Sequence, residues 1–284
     1  MQVFGSVSLL RFVALVMLIS ACQPQPAKEL NETDSSETTA LPRLPVIEAP
    51  SDRRALLRAA ADAASAAALG KDDRDAQLQL DGDRFEFRMR FGCSSRSEIV
   101  SSGAFQVDYD DESRRLRVRA APDLIGAEPW VAALGDDNTE AVEGFWVRTP
   151  WMLTSGCPGA GRPPAAEETK LNGSSQPNGE PFPDRQPGGS VGIAQFFSEA
   201  ESRVTRRDQR AYELTKTLPE GQGVPPQGYD FILSGRLQKL PGGRVIACHV
   251  VSPSLPPDCL VSVKFDEARI ERADTQETLA EWGF

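Results

Sequence analysis

Residues 84–91 read RFEFRMRF. Phe85, Phe87, Met89 and Phe91 alternate with Glu86, Arg88 and Arg90, a period of two rather than 3.6. Successive side chains of a strand point to opposite faces, so the run predicts a half-buried strand with four large apolar groups on one side. Just upstream, Leu78 and Leu80 alternate with Gln77 and Gln79. A two-residue turn at Gly82-Asp83 sets Leu80 opposite Phe85, Leu78 opposite Phe87 and Ala76 opposite Met89, all on one face. A three-residue loop sets Leu78 against Glu86, so register favours the two-residue hairpin.

The same reasoning extends down the chain. Phe105, Val107 and Tyr109 precede DDES at 110–113, and Leu116 and Val118 follow. A four-residue turn there pairs Val107 with Leu116 and Phe105 with Val118, and sets Asp108 beside Arg115. Val191–Phe197, Ala211–Leu218, Tyr229–Lys239 and Arg244–Val251 read as further strands, with Pro241-Gly242-Gly243 as a turn. Residues 268–273 and 278–282 suggest a last hairpin around Asp274–Glu277. One helix is expected at Ala55–Leu69, capped by Ser51 and closed by Gly70. Many short strands with frequent turns predict a mainly β fold, an antiparallel β-sandwich or partly closed barrel with one N-terminal Ala-rich helix.

Of five cysteines, four fall in this β-rich region: Cys93, Cys157, Cys248 and Cys259. Four cysteines allow three pairings. Ile246, Cys248 and Val250 share one face of a strand, and Cys259, Val261, Val263 and Phe265 share one face of the next. SPSLPP turns the chain between them. The antiparallel register that sets Cys248 opposite Cys259 also sets Ile246 opposite Val261, which favours Cys248–Cys259 and, with it, Cys93–Cys157. No Cys-x-x-Cys occurs, so neither a zinc nor a redox site is expected.

The fifth cysteine closes the opening segment, MQVFGSVSLLRFVALVMLISAC. Arg11 precedes an apolar run, Phe12–Ile19, too short to span a bilayer, which needs about 20 residues. Ile19-Ser20-Ala21-Cys22 resembles the lipobox of bacterial lipoproteins. The resemblance covers residues 1–22 and implies that 1–21 are a signal peptide. It further implies that Cys22 carries a diacylglyceryl group and an acylated (palmitate-type) amino terminus. It gives the protein a membrane contact through lipid, on the periplasmic side of the envelope. Gln23, where an Asp would retain an enterobacterial lipoprotein in the inner membrane, leans towards the outer membrane. Residues 22–50 are polar and Pro-rich and read as a lipidated, disordered tether. Residues 51–157 follow as the helix and hairpins. Residues 158–190 form a loop or linker, with 13 Pro or Gly in the 32 positions 158–189. Residues 191–284 form a second β-rich half, and 51–284 as a single domain stays open.

The formal net charge is −10, and −11 once Arg11 leaves with the signal. This disfavours nonspecific binding to nucleic acid. His249 is the only histidine and alternates away from the Cys248 face, so triads built on histidine have one surface-directed candidate. No Gly-x-Ser-x-Gly, Ser-x-x-Lys, P-loop or dinucleotide fingerprint occurs. Asp136–Glu140 offers alternating oxygens but lacks the glycine and distal glutamate of an EF-hand, and reads as an acidic turn. No cofactor or metal is expected. Trp146 and Trp151 are candidates for a sugar-stacking pair, with core packing the plainer account. Arg88 and Arg90, then Arg115, Arg117 and Arg119, point outward from the first two hairpins. If those hairpins adjoin in one sheet, they make a basic strip fit for phosphate groups or an acidic partner; otherwise they are cross-strand ion pairs such as Asp75–Arg90. The functional expectation is a non-enzymatic envelope interaction module with envelope proteins or glycans as partners. The alternatives are a β-barrel or sandwich binding a small or lipid-like ligand, and a carboxylate-based hydrolase of cell-wall glycan.

Overall fold

The computed structural model describes residues 49–93, 104–157, 189–199 and 206–284. The expected signal and tether up to residue 48, with Cys22, lie outside the described residues, as does the linker through residue 188. The fold is mainly β and sandwich-like, with two sheets and three α-helices among the described residues.

The first helix, α1 (Arg53–Ala68), starts one position later than its expected cap: Asp52, not Ser51, accepts a hydrogen bond from the Ala55 N–H at 2.8 Å. Ser51 is committed elsewhere. Its backbone pairs with the strand β1 (Arg84–Phe91), donating to the Arg84 carbonyl at 2.8 Å and accepting from the Glu86 N–H at 3.0 Å. Leu56, Leu57, Ala60 and Ala63 make the buried stripe of α1, and Gly70 closes the helix at φ +64°.

β1 has the expected alternation, with Phe85, Phe87, Met89 and Phe91 all buried. Its expected partner is corrected. Residues 74–80 are not a strand: Arg74–Gln77 is a short helix, α2, and Leu78–Leu80 a 3-10 turn. The Gln77 side chain accepts from both Val245 N–H (3.0 Å) and Ile246 N–H (2.7 Å), which fixes this helical segment under the next strand. Leu78, expected to face Phe87, is 53% exposed. β1 instead pairs antiparallel with β7 (Tyr229–Leu237), which sets Phe87 against Leu233 and Met89 against Phe231. That pairing buries large apolar groups on both strands, which the glutamine-rich segment cannot do.

The second hairpin forms from β2 (Phe105–Asp110) and β3 (Arg115–Ala120), in a register two residues away from expectation. Val107 faces Val118, and Asp108 faces Arg117 rather than Arg115. A slip of two keeps every side chain on its face, so the inward set is unchanged. The turn is 111–114, with Arg114 at φ 54° and the Asp110 carboxylate accepting from the Glu112 and Ser113 N–H groups. β3 also pairs with β6 (Tyr212–Thr217), completing a three-stranded sheet.

The larger sheet has seven strands in the order β1-β7-β9-β5-β4, with β8 and β10 also paired to β9. These are β4 (Thr139–Trp146), β5 (Val191–Ser198), β8 (Ile246–His249), β9 (Asp258–Arg272) and β10 (Thr278–Gly283). The sheet therefore draws strands from both sides of the 158–190 segment. Its pairings are antiparallel except β5 with β9. The expected strand from Cys259 and the first arm of the expected last hairpin, 268–273, are one 15-residue strand, β9, and the second arm of that hairpin is β10, paired antiparallel with it. The first part of β9 lies between β8 and β5, and its second between β7 and β10. A bulge joins the two parts opposite Gly235, where a Cβ would run into the Lys264 carbonyl oxygen. The buried Gln195 side chain accepts the Phe265 N–H there at 2.9 Å.

Cys248 faces Cys259 and Ile246 faces Val261, as the sequence predicts, and both expected disulfides are present. The core lies on the inner face of the large sheet. The rings of Phe91, Phe105, Phe145, Tyr212 and Phe231 meet there at centroid distances of 5.0–6.1 Å. On the outer face a smaller cluster of Ile125, Val131, Ala194 and Leu260 is covered by α3 (Pro129–Ala132) and the preceding 3-10 turn.

Candidate functional site

The basic strip is not one surface. Its condition was that the two expected hairpins adjoin in one sheet, and they do not: Arg88 and Arg90 lie on the seven-stranded sheet, Arg115, Arg117 and Arg119 on the three-stranded one. The two groups also differ in their partners.

On the outer face of β1, β7 and β9, the side chains form a closed lattice. Arg90 grips Asp230 with two hydrogen bonds of 2.7 and 3.0 Å. Arg88 bonds Glu271 at 2.8 Å and Asp230 at 3.3 Å. Arg269 binds Glu86, Glu267 and Glu271 at 2.7–3.0 Å. The expected pair Asp75–Arg90 is thus replaced by Asp230–Arg90, a consequence of the changed partner strand. Asp230 is 1% exposed, and Ile232 beneath the arginine stems is fully buried. Burial opposes the charge on Arg88, but hydrogen bonds and attraction from Glu271 and Asp230 win and raise its pKa. These groups satisfy one another and offer little to a ligand.

The outer face of the small sheet is open. Register places Gln106, Asp108 and Asp110 on one side of the arginine row and Glu213, Thr215 and Thr217 on the other. Arg117 forks onto Glu213 at 2.8 and 3.0 Å, and Arg119 reaches Gln106 at 3.3 Å. The Arg115 side chain makes no hydrogen bond or close ion pair among the described residues, and its charge adds to what holds the Asp110 carboxyl down. The Arg117 hydrogen bond holds the Glu213 carboxyl below its usual range, and the Ser113 and Glu112 N–H groups do the same for Asp110. Asp108, Tyr109, Asp110, Arg115, Arg117, Glu213 and Thr215 line an open depression of about 470 Å³. Three cations and three carboxylates make this face locally neutral on an acidic chain. Its free guanidinium and threonine hydroxyls suit an oxygen-rich partner carrying phosphate or carboxylate groups.

The aromatic candidates are also rearranged. Trp146 packs at 6.3 Å from Trp130, and Trp130 stacks on the exposed His249 at 5.4 Å with 12° between the rings. Trp151 enters no ring contact among the described residues and is 71% exposed. The sequence reading passed over Trp130; its signal was Pro129 at the first helical position, which starts a short helix and aims the next residue. His249 faces outward opposite Asp258, as its alternation predicts. The Asp136–Glu140 turn is tied up internally, with the Asp136 carboxylate accepting from the Asn138 N–H and the Thr139 hydroxyl. Among the described residues, no group of three or more His, Cys, Asp or Glu side chains is placed to hold a metal ion.

Comparison with known proteins yields no matching family model, no similar curated protein and no similar solved structure.

Proposed function

We propose that this is an envelope lipoprotein, held on the periplasmic side of a bacterial outer membrane by acyl chains on Cys22, whose β module works as a non-enzymatic interaction domain. The cysteine partition carries the reading. Both disulfides lie within the β module, they suit an oxidising compartment, and they leave Cys22 as the one cysteine outside the pairs. Within the module, the open arginine face of β2, β3 and β6 is assigned as the docking surface for envelope proteins or glycans bearing anionic groups. All seven residues lining the depression have charged or hydroxyl-bearing side chains, Tyr109 included, which favours surface docking over a ligand enclosed between the sheets.

Two experiments test the parts separately. Labelling with a fatty-acid analogue marks the wild-type chain and not Cys22→Ala; label that persists in the variant refutes acylation at Cys22. Crosslinking in intact cells followed by pull-down recovers partners with the wild type and loses them with the double variant Arg115→Ser/Arg117→Ser. An unchanged set of partners removes the docking surface from that face.

A further inference from the structure

We infer that the turn Thr149–Met152 is a second, non-covalent membrane contact, a rigid display of Trp151 that enters the headgroup region of a phospholipid bilayer beside the lipid tether. The placement rests on the Cys22 anchor proposed above.

The turn is built to hold its shape. The Met152 N–H donates to the Thr149 carbonyl at 3.0 Å, which makes Pro150 and Trp151 the two central residues of a four-residue turn. Proline at the first central position is favoured because its ring presets φ. The turn is clamped from below by Arg53, which is 6% exposed. The Arg53 guanidinium donates to the Met152 carbonyl at 2.9 Å, the Thr149 carbonyl at 2.8 Å and the Arg88 carbonyl at 3.2 Å, and lies 4.9 Å from the centre of the Phe87 ring. Burial pulls its pKa down to about 10, which leaves it charged at neutral pH. A buried charge spent on two carbonyls of one turn fixes that turn to β1. At its tip stands Trp151, 71% exposed, with Leu153 36% exposed two residues on.

A rigidly held indole facing water is costly, because apolar area stays hydrated. Tryptophan finds its preferred surroundings where an apolar body and a polar N–H are both satisfied, at the membrane–water interface. The place of the turn says which interface. Arg53 opens α1, three residues after Pro50, and three residues span at most about 10 Å. Thus the turn is bound directly to the point where the chain enters the β module. The 27 residues from Cys22 to Ala49 reach no farther than about 95 Å in any conformation. Anchoring at Cys22 therefore confines Trp151 to a layer roughly 100 Å deep over the lipid surface, and a weak partition gains from the raised local concentration.

The test uses the full acylated chain reconstituted into phosphatidylethanolamine/phosphatidylglycerol vesicles, with and without bromine-labelled lipid. With one tryptophan of four at the interface, bromolipid is expected to remove up to about a quarter of the emission. Trp151→Phe abolishes that quenching while the protein still sediments with vesicles. Because the side chain is exposed, thermal unfolding of the variant matches the wild type. Unquenched wild type that still sediments with vesicles overturns the inference and leaves the anchor intact. So does quenching that persists in Trp151→Phe. Trp151 shielded from acrylamide only when other envelope proteins are added assigns the turn to a protein partner and also overturns it. Protein that carries no acyl label and stays in the supernatant overturns the anchor and this placement together.

Discussion

The two arginine faces use the same residue types on the same kind of surface, yet they differ in what the fold does with them. On β1, β7 and β9, Asp230 is nearly inaccessible, and Arg88, Arg90 and Arg269 are held between carboxylates from three strands. On β2, β3 and β6, Arg117 shares one carboxylate with Arg119, while the Arg115 side chain acts on Asp110 through its charge and makes no close ion pair among the described residues. Position within the sheet produces the difference. The lattice runs inward from the β1 edge of the seven-stranded sheet, where Arg88 and Arg90 reach Asp230 on β7, and Arg269 ties Glu86 on β1 to Glu267 and Glu271 on β9. The small sheet has a neighbour on each side of β3 and no more, so its outer face stays wet. Ion pairs gain strength as water is excluded and are costly to break there, whereas exposed pairs contribute a few tenths of a kcal/mol.

That contrast can be broken most forcefully at Asp230. Asp230→Ala removes the partner of Arg90 and part of that of Arg88, leaving half-buried cations, and is expected to cost about 3 kcal/mol in urea unfolding. A loss as small as that of a surface pair would dissolve the distinction. The double variant Arg90→Leu/Asp230→Leu sharpens it: with both members replaced by apolar groups over Ile232, most of the loss should return, leaving a net cost of about 1 kcal/mol or less. Glu213→Ala, on the open face, is expected to change stability by no more than about 0.5 kcal/mol, and raising the salt concentration should erase even that.

The smallest effect concerns protonation. The folded-state pKa of Glu213 is depressed by Arg117, so the stability it contributes is present above the ordinary glutamate range and is lost as pH falls through the lowered value. In Arg117→Ser the Glu213 titration, followed by NMR, moves back up towards the ordinary value. A curve unmoved by the substitution would show that the fork is not formed in solution.

Much of this was legible in the sequence, because strand faces are a local property. The alternation of RFEFRMRF told which side of β1 is buried, and the shared face of Cys248 and Ile246 against Cys259 and Val261 fixed a register residue for residue. The β2–β3 hairpin was found with its faces right even though its register was two residues off. The first hairpin does not form, because proximity in sequence favours 74–80 as the partner of β1 and burial favours β7. What outweighs proximity is distant: Tyr229, Phe231 and Leu233 bury more apolar surface against β1 than Leu78 and Leu80 can. The roles of Gln77 and Gln195, which satisfy backbone N–H groups at a strand start and at a bulge, carry no sequence signal either, since a buried glutamine looks like any other until its partners are known.

The same division holds for the candidate sites. Sequence alone singled out Cys22, paired the other four cysteines and picked the arginines worth watching. Only the tertiary structure decided which of those arginines are locked and which are open, that Trp146 stacks with Trp130, and that Trp151 is held out by Arg53. Periodicity and spacing determine which way a side chain points from its own strand. Neighbours, burial and charge partners depend on which distant strands pair, and that is settled by the total apolar surface removed from water when the sheets close.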